Sequence, residues 1–362
     1  MYGSHIEDMV RRLVEAADPF GGLSAGAQVV IKPNLVISRS RWEGVNTHPQ
    51  VVETLIQLLK EKGIGSITVA DGSGMGHSAT KAFEVCGYSR VAQKYGVELV
   101  DLEKDKFITR KPSIKGPFSS LYIAKTVARS DFLINVPVMK AHGQTKITCS
   151  LKNLKGVMPR SMKTSFHGKD LHMAIAQLNS VVSADFILVD GIYGDLTSET
   201  GGTPVAINTM LAGYHPLEVD AFVARRLGFA PFDILHIRHF AGAAGAEESS
   251  LSTGVQYLNR PVRQQKLRVD TNQFRRYRCR VTSQGACCTC QGNLMFALER
   301  LSKSRSLSSS QHFAIGQKVN VEHTNHETII CVGECAAKRL KGTTMVYGCP
   351  PSSRDIVEAV LG

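Results

Sequence analysis

VVIKP (29–33), then PQVVETLIQLLKEK (49–62), then SITVA (66–70) is the stretch that decides the fold. The first segment is a short run of mostly apolar residues, the pattern of a buried strand. The second has helical periodicity, with Thr47 or His48 near its start and Gly63 at its end. The third is another strand. Strand, helix and strand in this order make a parallel pair joined by a crossover.

The pattern continues outward. Residues 6–17 read as a helix before the Gly21-Gly22 break, and Asp71–Gly76 as a glycine turn. Ala79–Val85 is a helix, and Val97–Leu102 and Phe132–Val136 are strands, the latter ended by Pro137. Phe186–Val189 and Val205–Ala212 are strands, and Pro216–Leu227 is a helix ending at Gly228. Strands alternating with helices predict an α/β domain with a mostly parallel sheet flanked by helices. Ligands of such sheets bind beyond the carboxyl ends of the strands.

The texture changes near residue 240. Ala241–Ser250 is small and Gly/Ala/Glu-rich, and Arg260–Arg280 is dense in arginine and lysine with one acid, Asp270. A helix near Leu294–Leu301, a Ser-rich loop at 302–310, strands near Ile329 and Met345 and a last helix from Arg354 to Val360 follow. The expected organisation is an α/β domain over 1–245, a basic linker over 246–278 and a small C-terminal α/β cysteine-rich module over 279–362.

The last of these segments carries the strongest chemical signal. Cys287 and Cys290 are separated by two residues, Cys335 lies in CVGEC (331–335), and Cys349 precedes Pro350. A two-residue gap lets two thiolates from one turn bind one centre, and a late Cys-Pro recurs as the last ligand of iron–sulfur clusters. Cys287, Cys290, Cys335 and Cys349 are therefore expected to hold a [4Fe-4S] cluster, with zinc as the runner-up. Cys288 and Cys331 are neighbours that could substitute. A disulfide set is the alternative. The odd number of cysteines, 9, and a charged N-terminus without a secretory apolar region point instead to a reducing cytoplasm. No apolar run reaches membrane-spanning length, so no membrane partner is expected.

A formal net charge of +12 implies anionic partners. The second signal, NVPVMKAHGQTKITCSLKNLKGVMPRSMKTSFHGKDLH (135–172), has no acid until Asp170 and follows a strand end. Its Lys140, Lys152 and Lys163 are candidates for neutralising a carboxylate or phosphate; a solvated basic loop is the plain alternative. Lysines crowded together repel one another, so their pKa values should fall toward a useful general acid or base range. His142 and His167 are the histidines placed to assist, by proton transfer or as metal ligands, although a structural histidine is the plainer reading of each; with Lys140 they form the candidate catalytic set, and Asn153 joins the substrate set. Lys32 and Asn34 end the first strand, where Pro33 should stop the ladder. Asp71 precedes a glycine turn whose N–H groups could approach an anion, although a simple tight turn is the plainer reading. Asp190 and Asp220 lie near element ends and read as structural caps. No Walker loop, H-E-x-x-H, G-x-S-x-G or C-x-x-C-H is present, which removes the commonest NTPase, zincin, serine-hydrolase and c-haem functions.

KPNLV (32–36), NTHPQVV (46–52), VADGSG (69–74), NVPVMKAH (135–142), LKNLKGV (151–157), His167 with His172, ILVDGI (187–192) and EVDAFVARRLGF (218–229) together resemble the domain of unknown function 362 family. The resemblance covers about residues 28–240. It implies a C-terminal cluster-binding segment, here CCTCQGNL (287–294) with the late GCPP (348–351), and a cytoplasmic protein of anaerobic or metal-rich metabolism. A relationship to the lactate racemase fold is an analogy only. The chain departs from the family pattern at Gly213-Tyr214-His215-Pro216 and at SETGGTP (198–204), so a contact made there by other members is in doubt.

The expected function is an iron–sulfur oxidoreductase, or a redox-coupled enzyme with electron transfer through the cluster, acting on a small anionic molecule. A redox partner protein would supply or remove electrons. The alternatives are a non-redox isomerase or lyase using Lys140 or His142 as base, and an electron carrier or binding module docking through Arg260–Arg280. Phe274 and Tyr277 among those arginines are a pattern that can stack bases, but no nucleic-acid motif is present, so nucleic acid is not an expected partner.

Overall fold

The computed structural model describes residues 1–39, 43–74, 77–197, 204–251, 254–260, 266–269, 274–322, 328–340 and 344–362, and the backbone but not the side chain of Cys288. Met75 and Gly76 of the glycine turn, most of the SETGGTP loop, and residues 261–265 and 270–273 of the basic stretch lie outside the described residues. Contacts divide the chain into two units. The first comprises Met1–Ala141, Thr145–Leu196 and Gly201–Val269; the second comprises His142–Gln144, Thr197–Thr200 and Asp270–Gly362.

The strands in chain order are β1 (Val29–Pro33), β2 (Ile67–Asp71), β3 (Glu98–Asp101), β4 (Phe107–Arg110), β5 (Leu121–Ala124), β6 (Phe132–Val136), β7 (Lys140–His142), β8 (Lys146–Thr148), β9 (Phe186–Asp195), β10 (Pro204–Gly213), β11 (Arg280–Ser283), β12 (Gln311–Ile315), β13 (Thr328–Val332) and β14 (Thr344–Val346). The first unit is built on a six-stranded sheet in the order β10-β9-β6-β1-β2-β3. All its pairings are parallel except β9 with β10, which is antiparallel with an irregularity between Ala206 and Thr209. The fold is thus α/β with a mostly parallel central sheet flanked by helices.

Burial on both faces explains the strand composition. Val29 and Ile31 enter one core with Val69, Ile134 and Val136, whereas Val30 enters the opposite core with Ala70 and Leu133. The helix Pro49–Glu61 buries Val51, Val52, Leu55, Ile56 and Leu59. The helix Ile6–Ala17 buries Ile6, Met9, Val10, Leu13 and Val14 at helical spacing. Pro33 is the last residue of β1 and its pairing with Val136 is the last of the ladder, so the strand ends where proline was expected to stop it.

The second unit contains a four-stranded sheet, β11-β12-β13-β14, parallel throughout. The helices Cys288–Lys303 and Ser353–Leu361 pack together. One core holds Leu294, Leu298, Phe313, Ile330 and Val332; a smaller one holds Ala314, Val319, Ile329, Cys331 and Ala336. Neighbours in β13 alternate between these cores, as period-two geometry requires.

Candidate functional site

At the carboxyl ends of β1, β2 and β6 the first unit gathers a buried polar cluster. Lys32 and Asp71 leave adjacent strands and pair at 2.7 Å, with side chains only 1% and 3% exposed. Lys32 Nζ also donates to the Pro33 carbonyl at 3.0 Å and to Asn153 Oδ1 at 3.3 Å. Asp71 accepts from the backbone N–H of Leu35 at 2.7 Å and of Gly72 at 2.9 Å. Asn153 is the hub: its Oδ1 accepts from Asn34 Nδ2 at 2.9 Å, and its Nδ2 donates to Asn135 Oδ1 at 2.7 Å.

Two glycines make this density sterically feasible. A Cβ at Gly156 would fall on Asp71 Oδ1 and lie 2.7 Å from Lys32 Nζ; one at Gly72 would lie 2.6 Å from the Gly156 carbonyl and 2.7 Å from Lys163 Nζ. Lys163 reaches in from the helix Arg160–Gly168 and donates to the carbonyls of Gly72 at 2.9 Å and Ser73 at 3.1 Å, and to Glu103 Oε1 at 3.0 Å. An ammonium has three donors, so Lys32 and Lys163 each already face three acceptors. A bound anion would have to displace one of them.

Burial is the main force lowering the pKa of both lysines. At Lys32 it is opposed by Asp71 and reinforced by the positive charges of Lys163 and Lys152; at Lys163 it is opposed chiefly by Glu103 and Asp71. Lys-on-Lys repulsion, the cause expected from the crowded sequence, is therefore the lesser one.

Two buried oxygens stand out. Asn34 Oδ1 (residue 7% exposed) and Ser73 Oγ (residue 1% exposed) have no hydrogen-bond partner among the described residues. Their loops are knitted together by the Gly74 N–H donating to the Val36 carbonyl at 2.9 Å. Buried orphan polar atoms are costly and are commonly satisfied by water or ligand.

Two fully buried carboxylates tie the starts of neighbouring helices. Asp190 accepts from the His48 N–H at 2.7 Å, just before the helix Pro49–Glu61. Asp220 accepts from the N–H groups of Ser150 at 2.8 Å and Leu151 at 3.1 Å, at the start of the short helix Ser150–Asn153. Desolvation raises both, Asp190 to about 6 and Asp220 to about 7. Neither lies at the element end the sequence suggested: Asp220 caps the short helix from the middle of the helix Pro216–Arg226, and Asp190 ties the residue before the helix Pro49–Glu61 from the middle of β9.

The remaining sequence candidates are placed differently. Lys152 is buried on the Ser150–Asn153 helix, within electrostatic range of Lys32. Lys140 is fully buried and donates to the Val45 carbonyl. His167 is half-buried, with Nε2 3.2 Å from Lys155 Nζ. His142 is buried, accepts from the Gln144 N–H at 3.1 Å, and groups with the second unit. Asn135, Ser73 and Glu103 were not singled out from sequence; the strand-end position of Asn135 was the available signal. Two described cavities in the first unit, of about 490 and 230 Å³, are lined by neither Lys32 nor Asp71.

In the second unit, Cys287 is the N-cap residue and Cys290 lies in the first turn of the helix Cys288–Lys303. Cys335 lies in the short helix Glu334–Ala337 after β13, and Cys349 follows β14. Gly333 brings these segments together. Its φ of +86° suits glycine, and a Cβ there would lie 3.7 Å from Cys290 Sγ, 3.6 Å from the Gly348 carbonyl and 3.5 Å from Pro351 Cδ. The Gly333 N–H donates to the Val346 carbonyl at 2.8 Å, and the Glu334 N–H to the Gly348 carbonyl at 3.2 Å.

The four thiols feel one another electrostatically. Cys290 is pushed far up, first by a hydrogen bond with Cys287, then by burial and by the charges of Cys287, Cys349 and Cys335. Cys335 is raised by burial and then by Cys287, and Cys349 by burial, Cys335 and Cys287. Among the described residues, however, no three His, Cys, Asp or Glu side chains are grouped as a metal-ligating set. The two observations differ because mutual repulsion acts over longer distances than coordination. Thiolates as a donor type suit a thiophilic centre.

Cys331 is not the interchangeable neighbour it resembled in sequence: it points into the Ala314–Ala336 core, whereas Cys290 packs on the opposite core. Cys279 is raised to about 11 by burial alone. The described part of Cys288 does not include its side chain.

The family described as Domain of unknown function (DUF362) matches residues 29–225, more than half of the chain and short of the cysteine-bearing segment. The thylakoid-associated protein sll1697 of Synechocystis sp. is 28% identical over 230 residues, spanning 61% of this chain and 68% of that protein. Among solved structures, the lactate racemase apoprotein from Thermoanaerobacterium thermosaccharolyticum aligns over 93% of this chain and 69% of its own, with 13% identity and a TM-score of 0.39. A structural-genomics crystal structure of a Thermotoga maritima protein aligns over 86% and 72%, with 13% identity and a TM-score of 0.45. Neither structural likeness is close enough to carry a functional argument. Among the described residues no helix is long and apolar enough to cross a membrane.

Proposed function

We propose a function from the premise that this chain belongs to the DUF362 family: it is an iron–sulfur protein whose Cys287, Cys290, Cys335 and Cys349 hold a [4Fe-4S] cluster, and it acts as a redox or redox-coupled enzyme on a small anionic substrate. The observation that carries this reading is the approach of the three cysteine-bearing segments at Gly333, where an added Cβ would lie 3.7 Å from Cys290 Sγ and 3.6 Å from the Gly348 carbonyl, and where the Glu334 N–H donates to that carbonyl at 3.2 Å. When bound, such a cluster supplies single-electron transfer. The chain's own contribution at that site is positional. The first turn of the Cys288–Lys303 helix offers its positive end to the Cys287 and Cys290 thiolates, and Gly333 leaves the space beside Cys290 free of a side chain.

The Lys32–Asp71–Asn153–Lys163 cluster is the proposed substrate region, completed by Asn34 and Lys152. Ser73 Oγ is a buried hydroxyl able to donate to a bound anion, whereas Asn34 Oδ1 only accepts and would pair with a donor group of the ligand. A carboxylate or phosphate entering there would take over one hydrogen bond from a lysine already held in place, so little side-chain entropy is lost on binding. Lys140, His142 and His167 remain proposed proton-transfer groups.

Electron paramagnetic resonance of oxygen-free protein, reduced with dithionite and titrated with small carboxylates and phosphates, tests the reading. A reducible cluster whose spectrum or potential changes with one class of anion supports it. A cluster that no reductant alters, or one indifferent to every anion, overturns the redox assignment.

A second reading is favoured by the lowered pKa of buried Lys32 and Lys163. In that reading the first unit moves protons, as an isomerase or lyase, while the cluster stays in one oxidation state. Turnover retained in a folded Cys287→Ser protein would support it over the first.

A further inference from the structure

A relay of side-chain amides runs from the start of the helix Ser150–Asn153 to the end of β1, and it leaves one polar atom over. The Ser150 carbonyl can only accept, so the end of Asn135 that faces it is the NH2, with Nδ2 at 3.1 Å. Asn135 Oδ1 therefore faces the other way and accepts from Asn153 Nδ2 at 2.7 Å. Asn153 Oδ1 in turn accepts from Asn34 Nδ2 at 2.9 Å, and the Lys32 ammonium at 3.3 Å requires an oxygen at the same place. A carbonyl at one end and an ammonium near the other thus fix the sense of every amide. Asn34 Oδ1 is what remains. It has no hydrogen-bond partner among the described residues, in a residue only 7% exposed. Flipping the amide would set its oxygen against Asn153 Oδ1, so Asn34 cannot present its NH2 instead. Its backbone is held as well: the Asn34 N–H donates to Thr47 Oγ1 at 2.8 Å, and its carbonyl accepts from the Thr47 N–H at 2.9 Å.

A buried acceptor held in this way is costly until a donor meets it. Lys32 does not supply one, because its three N–H groups already face Asp71 Oδ1, the Pro33 carbonyl and Asn153 Oδ1. A bare carboxylate carries no donor either. Resting on the substrate region proposed above, we propose that Asn34 is the specificity-determining residue there and that the substrate is a small carboxylate bearing a hydroxyl group, whose O–H donates to Asn34 Oδ1. An ammonium in place of the hydroxyl would also donate. It would, however, bring another buried positive charge next to Lys32, which shares Asn153 Oδ1 with Asn34. The Ser73 hydroxyl, 1% exposed and likewise without a hydrogen-bond partner among the described residues, is a donor for the carboxylate end.

Ligand-observed nuclear magnetic resonance titrations of the full-length protein, unaltered and as Asn34→Leu, test this. The probes are glycolate and 3-hydroxypropionate, their parent acids acetate and propionate, glycine, and inorganic phosphate. One of the two hydroxy acids, the one whose spacing fits, is expected to bind the unaltered protein at least about tenfold more tightly than its parent acid and than glycine, because the parent acid leaves the acceptor unmet. In Asn34→Leu that preference should fall to within about twofold while the parent acid still binds. A purely structural role for Asn34 would weaken all the acids alike and leave the ratio unchanged. Equal affinity of hydroxy and parent acids for the unaltered protein overturns the inference whether or not the variant folds. So does tighter binding of glycine, or a preference that survives in a folded Asn34→Leu. Binding of phosphate alone overturns the inference and leaves the substrate region standing, whereas binding of none of these compounds removes both.

Discussion

Replacing Asp71 with Asn removes one charge from the buried pair while keeping the shape of the side chain. The partners are 2.7 Å apart and almost fully enclosed, so Lys32 would be left as a buried ammonium facing only the Pro33 carbonyl, Asn153 Oδ1 and an amide. Asp71 also accepts the N–H groups of Leu35 and Gly72. Asn has one acceptor oxygen for all three donors, and its NH2 becomes a fourth donor. Removing one member of a buried pair costs about 3–5 kcal/mol, with the orphaned charge as the main cause. Domains are stable by only about 5–15 kcal/mol, so the change consumes a large part of the margin. With a urea slope of about 2–3 kcal/mol per molar, the unfolding midpoint of the first unit should fall by about 1–2 M. Lys32→Met should cost less, because the Asp71 carboxylate keeps its two backbone donors. The double variant should lose clearly less than the sum of the two, with a coupling of about 2 kcal/mol. Far-UV circular dichroism in urea, on all four proteins, reads these quantities. An Asp71→Asn protein within about 0.5 kcal/mol of the parent, together with strict additivity in the double variant, would refute the account of this pair as a closed buried unit.

Three further outcomes are expected. Gly156→Ala places a Cβ against Asp71 and Lys32 and should destabilise by about 1–3 kcal/mol, read as a lower thermal midpoint; an unchanged midpoint would show that the loop can yield. Asp190 and Asp220 bind protons more tightly folded than unfolded, since burial lifts them from 3.8 to about 6 and about 7. The folded state therefore holds more protons between about pH 4 and 7, and stability contributed by these groups falls as pH rises through that window. At Asp220 the effect is on the order of 4 kcal/mol. Asp220→Asn should flatten the decline in urea midpoint from pH 4 to 7, and an unaltered slope would count against the assignment. Gly333→Ala forces a left-handed backbone on a residue with a Cβ, at about 1–3 kcal/mol. It should lower iron bound per chain after reconstitution, whereas full iron occupancy would show that Gly333 is not needed to shape the site.

Much of the framework was legible in the sequence because it rests on local rules. The strands Val29–Pro33 and Phe132–Val136 and the helix Pro49–Glu61 lie where apolar runs, Pro49 and Gly63 put them. The two cores of the first unit explain why its inner strands show apolar runs instead of alternation. Elements whose residues carry no such signature were missed: the β4–β5 hairpin, β11 and β12, and the helices Tyr88–Tyr95 and Leu235–Ala243. β9 and the Cys288–Lys303 helix run beyond the sequence reading. β9 continues through Gly191 and Gly194, where the strand approaches other backbone: a Cβ at Gly191 would fall on the Thr209 carbonyl and one at Gly194 on the Met139 carbonyl.

The candidate residues were legible as types, but their partners were not. Lys32 and Asp71 stood out as strand-end residues, but only pairing of β1 with β2 makes them an ion pair. Lys163 stood out as one of many lysines; its commitment to the Gly72 and Ser73 carbonyls and to Glu103 depends on contacts about 60 or more residues away in sequence. Cys288 and Cys331 could not be told from their neighbours by spacing, whereas the alternation of β13 turns Cys331 away from Cys290.

Metal and sulfide analysis of protein purified without oxygen tests the account most directly. Four thiols sharing one region of the second unit predict about four irons and about four acid-labile sulfides per chain, lost together when Cys287 or Cys290 is replaced. Stoichiometric zinc without sulfide, or iron content unaffected by those replacements, would contradict it.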